Sequence, residues 1–271
     1  MTERPLTLMA VHAHPDDEAS STGGILAKYA AEGIRTILVT CTNGELGDAP
    51  DAKPGEDGHD LADVVALRRA ELEDSCRILG ITHLEMLGYH DSGMMGWPNN
   101  DAPGSFWSMD VQEAAAPLAD LMRQYQPDVV VTYDDFGFYG HPDHIQAHRI
   151  TLAALEQTGL PSKVYFPTVR RSALAQFREL LQTSGVELPD FGDDFGAPDE
   201  DIGATVDCRP QAPQKRAALA AHVSQQDNIF FLKFPPEVFA DMFGTEEFIR
   251  YRPVGDVSTT EDDLFAGLPD R

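Results

Sequence analysis

Two short stretches concentrate groups that bind metals and move protons. The first is Val11-His12-Ala13-His14-Pro15-Asp16-Asp17-Glu18 and the second is His141-Pro142-Asp143-His144. Both combine imidazole nitrogen with carboxylate oxygen. Zinc accepts these donors at about 2.0–2.2 Å, and a catalytic zinc site keeps one position open for water. Each stretch follows an apolar run, Leu6 to Val11 in one case and Val129-Val130-Val131 in the other, and each precedes a helix-like run. Proline suits the first helical position because the N–H it lacks would be unpaired there. Pro15 and Pro142 therefore place His14 and His141 at strand-to-helix junctions. Residues three apart at a helix start share a face, so His14 can converge with Asp17, and His141 with His144. The two stretches are expected to meet and hold one metal ion, with both helix N-termini directing their positive ends at it. Helix capping explains one such cluster but is a strained explanation for two. Spacing leaves open whether Asp16 or Asp17 is a ligand, and whether His141 or His144 is.

The elements that must position these groups alternate along the chain. Leu6 to Val11 reads as a buried strand, Ala19 to Glu32 as one helix stopped at Gly33, and Arg35 to Cys41 as a second strand. A Gly-, Asp- and Pro-rich loop, Asn43 to Asp60, precedes a helix over Leu61 to Leu79. His83 to Leu87 is a weaker strand. After a second long loop come a helix over Val111 to Tyr125 that contains Pro117, and a strand over Asp128 to Tyr133. A helix over Pro142 to Gln157 and a strand over Val164 to Phe166 complete the regular alternation. Further on, Ser172 to Gln182 reads as helix, Gly185 to Asp201 as an acidic flexible insertion, and Gln214 to Gln226 as helix. Ile229 to Phe234 reads as extended, Pro236 to Phe243 as a short helix, and Phe248 to Tyr251 as a last strand. The polar tail from Gly255 is expected to be disordered. This order predicts an α/β fold, a Rossmann-like three-layer sandwich around a mostly parallel sheet with a less regular C-terminal part. Ligands of such sheets bind at the carboxyl ends of the strands. One domain over residues 1–271 is expected, with an α/β core over 1–167, a C-terminal part over 168–254 and a tail over 255–271.

Composition removes several classes of function. The 271 residues are enough for a sizeable core. A formal net charge of −25 repels phosphate backbones and anionic lipid, which argues against nucleic-acid and membrane-surface partners. No run approaches the roughly 20 apolar residues that span a bilayer, and the first apolar run is too short for a signal peptide. The 3 cysteines, Cys41, Cys76 and Cys208, are widely separated. They fit a reducing compartment, and a cytoplasmic protein is expected. No G-x-G-x-x-G follows the first strand, which argues against a dinucleotide site. His12 alternates with His14 and points to the opposite face, so it reads as a buried, hydrogen-bonded residue. His148 reads as structural. Oligomeric state is not legible, and a homo-oligomer stays open.

The pair AHPDDE and HPDH resembles the LmbE-like, or PIG-L, family of zinc-dependent de-N-acetylases. That family includes N-acetylglucosaminyl-phosphatidylinositol deacetylases, the mycothiol-pathway deacetylase, mycothiol S-conjugate amidase, and deacetylases of glycopeptide antibiotics. The resemblance runs to about Ala154 and resumes over Lys215 to Gln225, KRAALAAHVSQ. It implies that His14, Asp17 and His144 are zinc ligands, that Asp16 is the general base, and that His141 faces the carbonyl oxygen. By the same match Asp143 orients and tunes His141, and Tyr139 is a mobile tyrosine near the reacting carbonyl. Arg68 in RRAEL, Asp91 in DSGM and Glu45 in NGELG match positions that grip polar groups of the substrate. Only the resemblance draws His222 and Gln225 towards the site. The implied reaction is N-deacetylation of an N-acetylglucosamine-type moiety in a small amino sugar or glycoconjugate, giving acetate and a free amine. Zinc is the implied cofactor, and Fe2+ suits the same donors. An amidase resembling mycothiol S-conjugate amidase is the alternative, but Ser20-Ser21-Thr22 lacks the lysine expected there. A non-catalytic zinc-containing sugar-binding protein is a more distant reading, and the spare carboxylate of Asp16 argues against it.

Overall fold

The computed structural model describes residues 4–175, 195–225, 231–252 and 259–268. Its strands are β1 (Thr7–His12), β2 (Arg35–Thr42), β3 (His83–Tyr89), β4 (Val129–Val131), β5 (Lys163–Thr168), β6 (Ile202–Asp207) and β7 (Thr245–Arg252). They form one sheet in the order β3-β2-β1-β4-β5-β7-β6. Strands β1 to β5 are parallel, and β7 pairs antiparallel with both β5 and β6. β1 is buried along its whole length, as expected of a strand covered on both faces. Its side chains alternate between two cores. Leu8 and Ala10 join the core with Ile25, Leu72 and Leu219, while Met9 and Val11 join the one with Leu118, Met122 and Ile150. Those two cores, one on each face, make the sandwich.

Helices α1 (Asp17–Ser21), α2 (Gly23–Ala31), α3 (Leu61–Leu79), α4 (Val111–Tyr125), α5 (a single turn, Gly137–Gly140) and α6 (Pro142–Thr158) follow, with two more over Ala212–Ala221 and Pro236–Phe243. Their ends obey local chemistry. Asp60 caps α3 by accepting from the Ala62 and Asp63 amides, and Gly80 closes it at φ 76°. Asp110 caps α4, which runs on through Pro117.

Five expectations need correction. The helix over Ala19 to Glu32 is two helices, because Thr22 breaks it at φ −137°. Its hydroxyl is engaged by the Glu18 carbonyl at 3.2 Å and by His12 Nε2 at 2.8 Å, a side-chain competition that ends helices. Pro15 is not a first helical residue: Asp16 occupies the cap position and α1 begins at Asp17. Strand β6 was not foreseen, since its alternate burial gives no continuous apolar run. The described residues of the tail, 259–268, pack against the body of the protein rather than being disordered, for Leu264 is fully buried and Glu261 accepts from Lys163 Nζ at 2.7 Å. Phe231 and Leu232 are helical rather than extended. The expected helix beyond residue 175 and the acidic insertion up to residue 194 lie outside the described residues. Among the described residues no helix is long and apolar enough to cross a membrane.

Candidate metal centre and active site

β1 and β4 are adjacent in the sheet but are not consecutive in the chain. Ligands settle at such reversals of strand order, and both His-Pro-Asp stretches lie there. The imidazoles of His14 and His141 have centroids 4.6 Å apart, His14 and His144 5.3 Å, and His141 and His144 5.0 Å. One nitrogen from each lies within 4.8 Å of the others, and so does a second set drawn from His14, Asp91 and Asp143. Asp17 Oδ2 sits 3.4 Å from His14 Nδ1 and 3.5 Å from His144 Nε2. The same oxygen accepts from the His14 amide at 2.8 Å and from Tyr133 Oη at 2.6 Å.

Hydrogen bonding assigns the free lone pairs. His144 Nδ1 lies 3.2 Å from the Gly137 carbonyl, an atom that only accepts. Nδ1 therefore carries the proton, and Nε2 presents its lone pair. That Nε2 is buried with no hydrogen-bond partner, and the nearby Asp17 carboxylate is likewise acceptor-only. Two acceptors facing one another in a buried place fit a shared cation, and imidazole with carboxylate is the donor set that zinc takes. The residues present thus fit a metal ion.

His141 differs. Its Nδ1 accepts from the Asp143 amide at 3.2 Å and caps α6, so the neutral ring bears its proton on Nε2. Burial, helped by His14 and His144, pushes His141 down to about 3. Burial also drives His144 down to about 4, against the pull of Asp17. Burial opposes charge on His14 too, but Asp91, Asp143 and Asp17 outweigh it and raise its pKa. Asp17 and Asp91 resist burial in the same way, and the neighbouring imidazoles hold both below the usual carboxylate range.

The remaining predicted residues fall into two groups. Asp91 and Tyr139 border the cluster. Asp91 Oδ1 accepts from the Gly93 amide at 2.8 Å and lies 3.7 Å from His14 Nε2. Tyr139 is 42% exposed, its ring edge-on to His144 at 5.0 Å. Asp143 touches His14 rather than the His141 ring: its Oδ2 accepts from His14 Nε2 at 3.2 Å and from the Ser92 amide at 2.9 Å. Its link to His141 runs through the main chain. Asp16 is half-buried, with its Oδ1 3.4 Å from Arg68 Nη2. Burial pushes it up to about 6, opposed by Arg68 and reinforced by Asp17.

Arg68 and Glu45 are set further back. Arg68 is 3% exposed and donates to the carbonyls of Gly44 and Pro15. Gly44 permits this approach, since a Cβ there would lie 2.6 Å from Arg68 Nη1. Glu45 is buried against His90, Oε1 to Nδ1 at 2.6 Å. His12 and His148 are buried and hydrogen-bonded to Thr22 and to the Tyr133 carbonyl. Sequence reasoning missed Tyr133, which binds Asp17, accepts from the Ala13 amide at 2.9 Å and stacks on His144 at 4.1 Å. The one available signal was a tyrosine closing an apolar strand, where a buried hydroxyl needs a partner.

Residues 9–155, which include both stretches, match the family described as PIG-L: GlcNAc-PI de-N-acetylase. The 1D-myo-inositol 2-acetamido-2-deoxy-alpha-D-glucopyranoside deacetylase of Acidothermus cellulolyticus is 42% identical over 283 residues, covering 97% of this chain and 95% of that protein. The enzyme of the same name from Thermomonospora curvata is 38% identical over 297 residues and covers 99% of each. N,N'-diacetylchitobiose deacetylase from Pyrococcus horikoshii shares the fold at a TM-score of 0.60 and 21% identity, over 91% of this chain and 84% of that one. With both motifs meeting at one strand reversal and likeness running nearly end to end, the chain belongs to the PIG-L family of de-N-acetylases.

Proposed function

We propose that the protein hydrolyses the acetamide of an N-acetylglucosamine-type moiety, releasing acetate and a free amine. The observation that carries this reading is the partnerless lone pair of buried His144 Nε2 facing Asp17, with the separate carboxylate of Asp16 alongside. The names of the Acidothermus and Thermomonospora relatives support a 2-acetamido sugar joined to inositol as the substrate class.

His14, Asp17 and His144 would hold a zinc ion, which when bound lowers the pKa of water to about 7 and polarises the amide carbonyl. Asp16 takes the proton of the attacking water and returns it to the leaving nitrogen. His141 donates its Nε2–H to the developing oxyanion, and because burial keeps the ring neutral it gives a hydrogen bond rather than a charge. Asp143 fixes the His14 ring through Nε2, as a carboxylate does for a ligating imidazole. Asp91 meets sugar hydroxyls beside the cluster, and Tyr139 lies against the reacting acetamide from the rim. Arg68 and Glu45 support the substrate from behind, through the loops they hold. Zinc and ferrous iron suit the donors alike, and metal analysis of the purified protein separates them.

The test is release of free amine from 1D-myo-inositol 2-acetamido-2-deoxy-α-D-glucopyranoside, beside a cysteinyl amide conjugate, with and without chelator. Deacetylation is expected to dominate, to vanish on chelation and to return with zinc. Turnover that survives removal of all metal would overturn the proposal.

A further inference from the structure

We infer that His222, acting through Glu18, is a positioning residue that holds the Asp16 main chain in the shape its work requires. The inference rests on the proposed role of Asp16 as base. Asp16 has φ 106° and ψ −26°, a state that residues with a Cβ rarely adopt. Such states persist only where the surroundings over-determine them. Here the restraint begins with Glu18, whose Oε2 accepts the Asp16 N–H at 2.9 Å. Glu18 Oε1 is gripped from the far side by the Ser75 hydroxyl and by His222 Nε2, the latter at 2.8 Å. Glu18 and Ser75 are 0% exposed and His222 is 2% exposed, so these hydrogen bonds are made away from solvent.

His222 follows the Ala212–Ala221 helix at its C-terminal cap, and the next residues lock that end in place. The Ser224 amide and hydroxyl both donate to Glu71, at 2.8 and 2.7 Å. Gln225 Nε2 donates to the Asp48 carbonyl at 3.0 Å. The imidazole therefore reaches Glu18 from a fixed support. Arg68 completes the cradle by donating to the Pro15 carbonyl. A buried carboxylate deprived of one donor turns towards another, and Glu18 turning would release the Asp16 amide.

The test compares His222→Ala, His222→Gln, whose amide nitrogen restores a donor to Glu18, and Glu18→Met, which removes the acceptor of the Asp16 amide. In His222→Ala the Asp16 amide should exchange with deuterium at least about tenfold faster by nuclear magnetic resonance. Its kcat on an N-acetylglucosamine conjugate should fall on the order of 10- to 100-fold, while KM and zinc per chain stay near wild type. His222→Gln should recover most of both losses. The inference is overturned if exchange and kcat are unchanged in His222→Ala, if His222→Gln is as impaired, or if zinc is lost in step with kcat. Should His222→Ala not fold, Glu18→Met, which has no oxygen to accept the Asp16 N–H, must show the faster exchange, and wild-type protection there overturns the idea. A wild-type protein inert on every such conjugate sinks the functional reading instead, and the exchange rates still decide the positioning claim.

Discussion

The two His-Pro-Asp stretches look like copies, and the fold uses them differently. In His141-Pro142-Asp143-His144 the proline is the first residue of α6, His141 caps the helix and Asp143 lies in its first turn. In His14-Pro15-Asp16-Asp17 the helix starts two residues after the proline, and the third residue takes the cap position at φ 106°. The fourth positions, Asp17 and His144, still face each other at 3.5 Å. The third positions part company. Asp143 turns inward to His14 and the Ser92 amide, while Asp16 faces Arg68. One shift of a helix start thus gives equivalent carboxylates different partners, matching their proposed roles as the support of a metal ligand and as a proton carrier.

The largest effect should come from the fourth positions, Asp17 and His144, the proposed matched ligands. His144→Ala is expected to lose nearly all bound zinc and all measurable deacetylation, read by metal analysis and amine release together. Zinc retained at the wild-type level would mean that the matched pair does not hold the ion. The third positions should then separate. Asp16→Asn should keep its zinc and lose roughly 10²- to 10⁴-fold in kcat, the range general bases contribute. Asp143→Asn should instead weaken zinc binding about 10- to 100-fold, as removal of a group that orients a metal ligand does, measured by competition with a chromogenic chelator. If both variants lose zinc equally, or neither does, the division of labour is wrong.

Much of this was legible in the sequence because its signals are local. Apolar runs such as Leu6 to Val11 announce buried parallel strands, and α3 runs over the expected Leu61–Leu79 with its Asp60 cap and Gly80 stop. The meeting of the two stretches followed from the rule for strand ends. The C-terminal half hid its contribution for physical reasons. β6 alternates between buried and partly exposed residues and contains Gly203, so it lacks the dense run that marks β1. His222 reaches Glu18 across 204 residues, a contact that no spacing encodes. Tyr133 and the attachment of Asp143 to His14 depend on side-chain direction after the chain has turned, which periodicity does not specify. The left-handed state of Asp16 was invisible because Pro15 reads as an ordinary helix start.

That backbone difference gives the smallest effect and the one closest to the comparison itself. Alanine and glycine remove the same carboxylate, so the stability gap between them isolates the main chain. At Asp16 a left-handed state costs a residue with a Cβ about 1–2 kcal/mol, and glycine is spared this. Asp16→Gly should therefore be more stable than Asp16→Ala by about 1 kcal/mol. At Asp143, in an ordinary helical turn, the order should reverse by roughly 0.5–1 kcal/mol, because glycine has more freedom to lose there. Urea unfolding of chelator-treated protein measures both gaps free of metal binding. The same sign at the two positions would mean that the backbone at Asp16 is not held as described, and the distinction between the third positions would have to come from their surroundings alone.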